Sequence, residues 1–265
     1  MNVSQDKILR TGALLLPNFK VVRSGSVVEV FSYNAKYLLP PVSDVGTRSA
    51  YSTRRAFYNL QSTISSNFGQ WFDSSMQRYY QPQFLTLTFK KQYTMSDLIL
   101  VRREFHLFVS RFNFEFFNSK ESKIKYSSVI ELSKKYSAIH YHVLFYNLPF
   151  IANLDDSKEG QFFWRLVDTW RNGRVFNRSG IQKARNAGSY LTKYMSKDFA
   201  AENLPKGFRL YNNSHGLLKP EVFLNGDALR VMSSLNPSFR SSVRYSEMGT
   251  YEQYFVPHGF SFNGK

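Results

Sequence analysis

The chain has 265 residues, of which 43% are hydrophobic and 17% aromatic, enough apolar surface for a sizeable folded core. Its 35 Lys and Arg against 19 Asp and Glu give a net charge of +16 and interleave with Phe and Tyr, which favours a polyanionic partner, nucleic acid before membrane. Cysteine is absent, which excludes disulfides and Cys-ligated zinc. No apolar run approaches the ~18 residues of a membrane span, and GALLLP is too short for a signal-peptide core, so we expect a cytoplasmic location.

Residues 1–80 are predicted to form an N-terminal extension packed on the core. A β-hairpin is predicted in FKVVRSGSVVEVFSY, with its turn at Ser-Gly-Ser. An amphipathic helix is predicted in STRRAFYNLQSTISSNF, because Phe57, Leu60 and Ile64 recur at helical spacing. Residues 201–265 carry weaker signals and are predicted to form a C-terminal extension with one helix near 226–235.

Residues 81–200 alternate between strand and helix patterns and are predicted to form the core. FLTLTF alternates apolar residues with threonine, as a half-buried strand does. The predicted elements that follow are a helix through LILVRREFHLFVSRF, a hairpin of YSSVIEL and AIHYHVLFY, a helix FFWRLVDTW, a strand RVF and a helix from about Lys183 to Phe199. This order predicts an α+β fold, an antiparallel sheet with helices on one side.

Two histidines flank one bulky apolar residue in the strand AIHYHVLF. Strand side chains alternate between faces, so His140 and His142 must lie on one face while their apolar neighbours fill the core on the other. A hairpin centred near Tyr136 brings Glu131 opposite this stretch. One carboxylate and two imidazoles are suited to a divalent ion with open coordination positions. Alternatively, the histidine pair is incidental to a core.

The segment KARNAGSYLTKYMSKDF places two stripes of side chains on one helix. Tyr190, Lys193, Tyr194 and Lys197 have the spacing i, i+3, i+4, i+7. An apolar stripe roughly 130° away is predicted to pack on the core; it consists of Ala184, Ala187, Leu191, Met195 and Phe199. The tyrosines are therefore not needed as core. A tyrosine hydroxyl, with a pKa of about 10, needs a metal and a nearby ammonium to attack phosphorus.

FLTLTF, IHYHVLF and YLTKYMSK, in that order, resemble the three motifs of rolling-circle replication initiators in the HUH endonuclease superfamily, named for His-hydrophobic-His. The resemblance implies a five-stranded antiparallel sheet related to the RNA-recognition fold, with the metal pair on a central strand and the nucleophile on a flanking helix. The acidic third ligand of the family maps onto Glu131. Its Tyr-x-x-Lys pattern maps twice, as in the two-tyrosine initiators of single-stranded DNA phages and plasmids: onto Tyr190 with Lys193 and onto Tyr194 with Lys197.

The resemblance implies a nickase and strand transferase that starts rolling-circle replication through a 5′-phosphotyrosine intermediate. It further implies that Mg²⁺ or Mn²⁺ held by His140, His142 and Glu131 orients a phosphate of single-stranded or hairpin origin DNA. The sequence contains no GxxxxGK[ST], so a helicase and a DNA polymerase of the host are expected partners. The tyrosines follow the histidines, as in replication initiators and small single-tyrosine transposases, and not as in conjugative relaxases.

Basic residues around the tyrosine helix and in the N-terminal helix are expected to contact DNA: Arg171, Arg174, Arg178, Lys183, Arg185, Arg54 and Arg55. Two alternative functions stay open. One is a single-tyrosine, transposase-like enzyme of the same superfamily. The other is a non-catalytic nucleic-acid-binding module with an RNA-recognition-like sheet, for which the basic and aromatic composition would suffice.

Overall fold

The structure, a computed structural model, describes residues 14–15, 18–34, 37–38, 50–133, 138–148, 158–177, 184–196, 209, 211–246 and 249–262. The fold is α+β. The helices in these ranges are α1 (Ala50–Asn67), α2 (Leu98–Phe117), α3 (Lys158–Trp170), α4 (Ala184–Ser196) and α5 (Asn225–Ser234). The strands are β1 (Leu14–Leu15), β2 (Phe19–Ser24), β3 (Val27–Tyr33), β4 (Tyr37–Leu38), β5 (Phe72–Asp73), β6 (Arg78–Tyr79), β7 (Gln83–Thr88), β8 (Tyr126–Ser133), β9 (Ala138–Phe145), β10 (Val175–Asn177), β11 (Tyr211–Asn213), β12 (Glu221–Leu224), β13 (Arg240–Ser246) and β14 (Gly249–Phe255).

The chain divides into two compact units. The core unit comprises residues 46–218, and the terminal unit comprises residues 1–45 together with 219–265. This division differs from the predicted segments, because α1 packs against α4 within the core unit, while the N-terminal hairpin shares a sheet with C-terminal strands. Among the described residues, no helix is long and apolar enough to cross a membrane.

The core unit contains a five-stranded antiparallel sheet with the order β10-β7-β9-β8-β11. The predicted strands and their antiparallel arrangement are confirmed. β9 lies at the centre, between β7 and β8. The predicted alternation along β9 is also confirmed, since the apolar residues on one of its faces are at most 1% exposed: Ile139, Tyr141, Val143 and Phe145.

Helices cover both faces of this sheet. On one face, the ring of Phe105 in α2 stacks on Tyr141 with 4.2 Å between the ring centroids. On the other face, Tyr190 of α4 meets Phe84 edge-on at 4.8 Å. The prediction of helices on one side is therefore wrong. The physical reason is that the histidine face also carries apolar residues, among them Phe84 and Leu144, which need cover as well.

The helices α1 and α4 pack against each other above the histidine face. Leu60 and Ile64 of α1 are fully buried, as predicted. Gly188 of α4 approaches Gln61 so closely that an added Cβ would lie 3.5 Å from the Gln61 Cα atom. Gln61 also donates a hydrogen bond to the Thr192 hydroxyl at 3.1 Å. This contact fixes α4, and with it the tyrosines, over the sheet.

The terminal unit contains a second five-stranded antiparallel sheet, with the order β12-β2-β3-β14-β13. The predicted hairpin β2–β3 is confirmed, with a turn that uses Gly25 at a φ of 61°. The predicted C-terminal helix is α5, which packs on this sheet around a small core of Val21, Val30 and Val231. The strands β12 to β14 were not predicted, because their residues are mostly polar or only partly buried.

Candidate functional site

The register of the central strands brings the predicted ligands side by side. His140 pairs with Glu131 of β8 and with Thr88 of β7. His142 pairs with Thr86 of β7. Because directly paired residues share a face of the sheet, all five side chains belong to the face covered by α4.

The imidazole of His142 is held by both of its ring nitrogens. Its Nε2 lies 2.5 Å from Oε2 of Glu131, and its Nδ1 lies 3.1 Å from the Thr86 hydroxyl. His142 is only 4% exposed. A buried histidine with two fixed partners has one ring orientation, and a hydroxyl or carboxylate behind an imidazole is the usual way to orient a metal-binding histidine.

The protonation equilibria of the site favour metal-binding forms. Partial burial acts to raise the pKa of Glu131, but the hydrogen bond from His142 and the charges of His142, His140 and Lys193 outweigh it, so the pKa lies below its ordinary value. Burial lowers the pKa of His140, the charge of His142 lowers it further, and Glu131 opposes both. Near neutral pH, Glu131 is therefore ionised and His140 neutral, the states in which both donate lone pairs.

The donor types fit a divalent ion, although they are not assembled into a three-ligand cluster. Oxygen and imidazole nitrogen donors suit Mn²⁺ and related ions. Within the described ranges, the buried Nδ1 of His140 has no hydrogen-bond partner, so a ligand there would satisfy a polar atom that the protein does not. Among the same residues, no group of three or more His, Asp or Glu side chains is close enough to hold a metal. The arrangement unites Glu131 with His142 only.

The tyrosine helix α4 lies directly on this pair. The ring of Tyr194 stacks on His142 with 3.6 Å between centroids and 14° between planes. The Tyr194 hydroxyl donates to the Tyr190 hydroxyl at 2.7 Å. The Lys193 ammonium lies 3.7 Å from the Tyr190 ring centroid and 5.0 Å from that of Tyr194. Two phenols and a cation are thus gathered beside a carboxylate–imidazole pair.

The tyrosines also take part in packing, which the sequence did not predict. Ala187 and Leu191 are fully buried, as expected of the apolar stripe. Tyr190 and Tyr194, however, are half-buried and both contact Phe84. Phe84 projects from β7 on the same face as the histidines and is covered by these rings. The expectation that the tyrosines stand clear of the core is therefore wrong.

Phe84 and Thr86 are the residues of the site that sequence reasoning did not single out. Both belong to FLTLTF, whose alternation predicted a strand but not which face of it meets the histidines. That assignment requires the register Thr86 with His142, which depends on long-range pairing of β7 with β9. The signal in the sequence is the matching parity of Thr86 and Phe84 along one strand.

The predicted DNA-contacting arginines are only partly described. Arg55, Arg171 and Arg174 are exposed. The backbone of Arg174 donates to the hydroxyl of Thr88 at 3.0 Å and accepts from the Thr88 backbone at 2.9 Å, which places it next to the residue paired with His140. Outside the described residues or side chains lie the other predicted positions: Arg178, Lys183 and Lys197, and the side chains of Arg54 and Arg185.

Residues 82–199 match a family model of replication-associated proteins, the ORF2 family. The matched segment contains β7, β8, β9 and α4, which carry the carboxylate, both histidines and both tyrosines. No significant match to a curated protein or to a solved structure was found. The part of the chain that builds the candidate site is therefore similar to replication-associated proteins, which indicates a role in the initiation of DNA replication.

Proposed function

We propose that the protein is a metal-dependent DNA nickase and strand transferase that initiates rolling-circle replication, as a two-tyrosine enzyme of the HUH type. The observation that carries the proposal is the stacking of Tyr194 on His142, which holds a phenol against the proposed metal-binding pair. The match of residues 82–199 to replication-associated proteins supports the same role. Strand unwinding and DNA synthesis are assigned to a helicase and a polymerase of the host.

The proposed ligands of Mg²⁺ or Mn²⁺ are His140, His142 and Glu131. When bound, the ion would supply positive charge that neutralises the non-bridging oxygens of the scissile phosphate. The Thr86 hydroxyl holds the His142 ring from behind. The lowered pKa of Glu131 and that of His140 keep both groups unprotonated near neutral pH.

One tyrosine oxygen attacks the phosphorus of origin DNA. The new oxygen–phosphorus bond forms as the bond to the 3′-oxygen breaks, which leaves a 5′-phosphotyrosine and a free 3′-OH for polymerase. The attacking hydroxyl loses its proton, and the ammonium of Lys193 stabilises the phenolate and the charge that develops in the transition state. The phosphotyrosine link conserves the energy of the phosphodiester for a later joining step.

The second tyrosine is proposed to end the cycle. After one round of synthesis it cuts the regenerated origin, and the released 3′-OH attacks the first phosphotyrosine to close a circle. Residues four apart on a helix are separated by about 6 Å of rise. The hydroxyls of Tyr190 and Tyr194 are in hydrogen-bond contact at 2.7 Å, so both oxygens lie within reach of one phosphate.

The test uses the full chain, Mn²⁺ and single-stranded DNA with the origin of its own replicon, labelled at the 3′ end. A 5′-phosphotyrosine keeps this label on the protein, so we expect a labelled band that resists denaturing electrophoresis. The double variant Tyr190→Phe with Tyr194→Phe should give no such band. Tyr93→Phe, at a half-buried tyrosine that contacts Phe89, is the matched control and should retain it.

The same experiment separates the alternatives. DNA binding with no covalent product would contradict the enzymatic proposal and favour a binding module. Loss of product in one single Tyr→Phe variant, with full and complete turnover in the other, would favour a single-tyrosine enzyme. Cleavage at isolated DNA hairpin ends but not at the origin would favour a transposase-like role.

A further inference from the structure

One row of paired side chains crosses the whole sheet of the terminal unit. From edge to edge the row consists of Leu224, Lys20, Phe31, Tyr251 and Arg244. Five strands at about 4.8 Å spacing give the row a length of about 19 Å. The row therefore presents two aromatic rings between two cations on a regular backbone.

The row lies on the face of the sheet away from α5. Val21 and Val30 pack in the small core with α5, and they are the immediate neighbours of Lys20 and Phe31 along their strands. Because strand neighbours point to opposite faces, the row belongs to the other side. Leu224 is 48% exposed and Arg244 is exposed, while the three side chains between them are half-buried.

Each ring in the row has a cation beside it. The Lys20 ammonium lies 5.6 Å from the Phe31 centroid, and the Arg244 guanidinium carbon lies 5.8 Å from that of Tyr251. The two rings are 5.2 Å apart and tilted by 59°. Two residues along β3, the ring of Tyr33 lies nearly parallel to Phe31, at 6.2 Å and 6°. The aromatic surface thus extends along the strand as well as across the sheet.

The acidic residue on this face does not cancel the positive charge at its surface. Glu29 is buried, and its carboxylate accepts a hydrogen bond from the Tyr251 hydroxyl at 2.8 Å. Burial, the charge of Glu29 and this hydrogen bond raise the pKa of Tyr251, so its phenol stays neutral. The bond anchors the Tyr251 ring in the row, while the cations of Lys20 and Arg244 lie to either side.

We infer that this row is a binding site for single-stranded DNA, in which bases stack on Phe31 and Tyr251 and phosphates meet Lys20 and Arg244. Rings interleaved with cations on a sheet suit unpaired strands, since every base has a face to stack and every nucleotide carries a phosphate. An apolar protein partner would favour an uninterrupted apolar row instead. The site holds a strand and performs no chemistry, so it goes beyond the proposed nickase.

The test measures equilibrium binding of labelled oligothymidine to the full chain in EDTA, in a Tyr190→Phe, Tyr194→Phe background that cannot form a covalent link. Adding Lys20→Gln with Arg244→Gln should weaken binding about 10-fold and lower the salt slope by about 1.4, since each phosphate contact to a single strand contributes about 0.7. Phe31→Leu should weaken binding about 5-fold or more with the salt slope unchanged. Circular dichroism checks that each variant is folded.

Arg230→Gln is the matched control, because Arg230 is an exposed cation of α5, whose packed residues line the opposite face of the same sheet. It should change binding less than 2-fold. Equal affinities of the Lys20→Gln, Arg244→Gln variant and the Arg230→Gln variant would overturn the inference. The assay contains no metal and detects no cleavage, so a failure of the proposed nickase would show in the covalent-product assay and not here.

Discussion

The two five-stranded antiparallel sheets share a hydrogen-bonding plan and differ in what covers them. Helices lie on both faces of the core-unit sheet, whereas α5 packs on one face of the terminal-unit sheet. A polar side chain in a doubly covered sheet must be bonded or it costs free energy. His142, with partners on both ring nitrogens, therefore stands out against its apolar neighbours, while polar residues on the second sheet are ordinary.

Removing a large core side chain should show how strongly the first sheet depends on its aromatic packing. Phe105 is fully buried and stacked on Tyr141. Phe105→Ala should lower the free energy of unfolding by about 3–5 kcal/mol. In the smaller core of the terminal unit, Val30→Ala should cost about 2 kcal/mol, at roughly 0.8 kcal/mol per methylene. Chemical denaturation followed by circular dichroism measures both.

Phe114→Ala is the control for Phe105→Ala. Phe114 lies on the same helix but is 59% exposed, so its loss should change the unfolding free energy by less than about 0.5 kcal/mol. If Phe105→Ala and Phe114→Ala are equally mild, the aromatic core around Phe105 does not stabilise the first sheet.

A glycine beside the site tests how tightly its edge is packed. A Cβ on Gly173 would lie 2.1 Å from the carbonyl oxygen of Thr88, the residue paired with His140. Gly173→Ala should destabilise the protein by about 1–3 kcal/mol. Gly226 of α5 has no atom within 4 Å of its Cβ position, so Gly226→Ala should be neutral or stabilise by up to about 1 kcal/mol. Thermal melts that show no difference between the two would contradict the close approach.

The hydroxyl behind His142 should matter for metal affinity. Thr86→Val removes the hydroxyl and nearly preserves the shape, and we expect the affinity for Mn²⁺ to fall about 10- to 100-fold by calorimetry. Thr86→Ser keeps the hydroxyl and should retain most of the affinity. An unchanged affinity in Thr86→Val would mean that this hydroxyl does not orient a metal ligand.

The smallest effect is expected at a single arginine near the site. Arg174 is exposed next to Thr88, so Arg174→Gln should remove one phosphate contact and lower the salt slope of single-strand binding by about 0.7. Arg103→Gln, at an exposed position of α2, should leave the slope unchanged. Equal slopes in both variants would remove Arg174 from the DNA path.

The sequence predicted the elements whose apolar pattern is strong. In α2, Leu98, Val101, Phe105, Phe108 and Phe112 are all buried, as their spacing predicts. The position of Glu131 opposite His140 also followed from the hairpin alone. These are local patterns, since helix periodicity and a short hairpin need no information from distant parts of the chain.

Three features depended on contacts that a local pattern does not carry. The pairing of Thr86 with His142 joins residues 56 positions apart. The packing of both tyrosines on Phe84 requires that pairing to be known first. The strands β13 and β14 are polar enough to resemble loops, and they form because β3 offers a paired edge far back in the sequence.

Locating the covalent link tests most directly the claim that the tyrosine helix and the His142–Glu131 pair form one nicking site. Trypsin cuts after Arg185, Lys193 and Lys197, so Tyr190 and Tyr194 fall on different peptides, 186–193 and 194–197. After reaction with origin DNA and nuclease digestion, mass spectrometry should find a nucleotide on one or both of these peptides, and on neither in Glu131→Gln. A nucleotide on any other peptide, or full labelling in Glu131→Gln, would contradict the account.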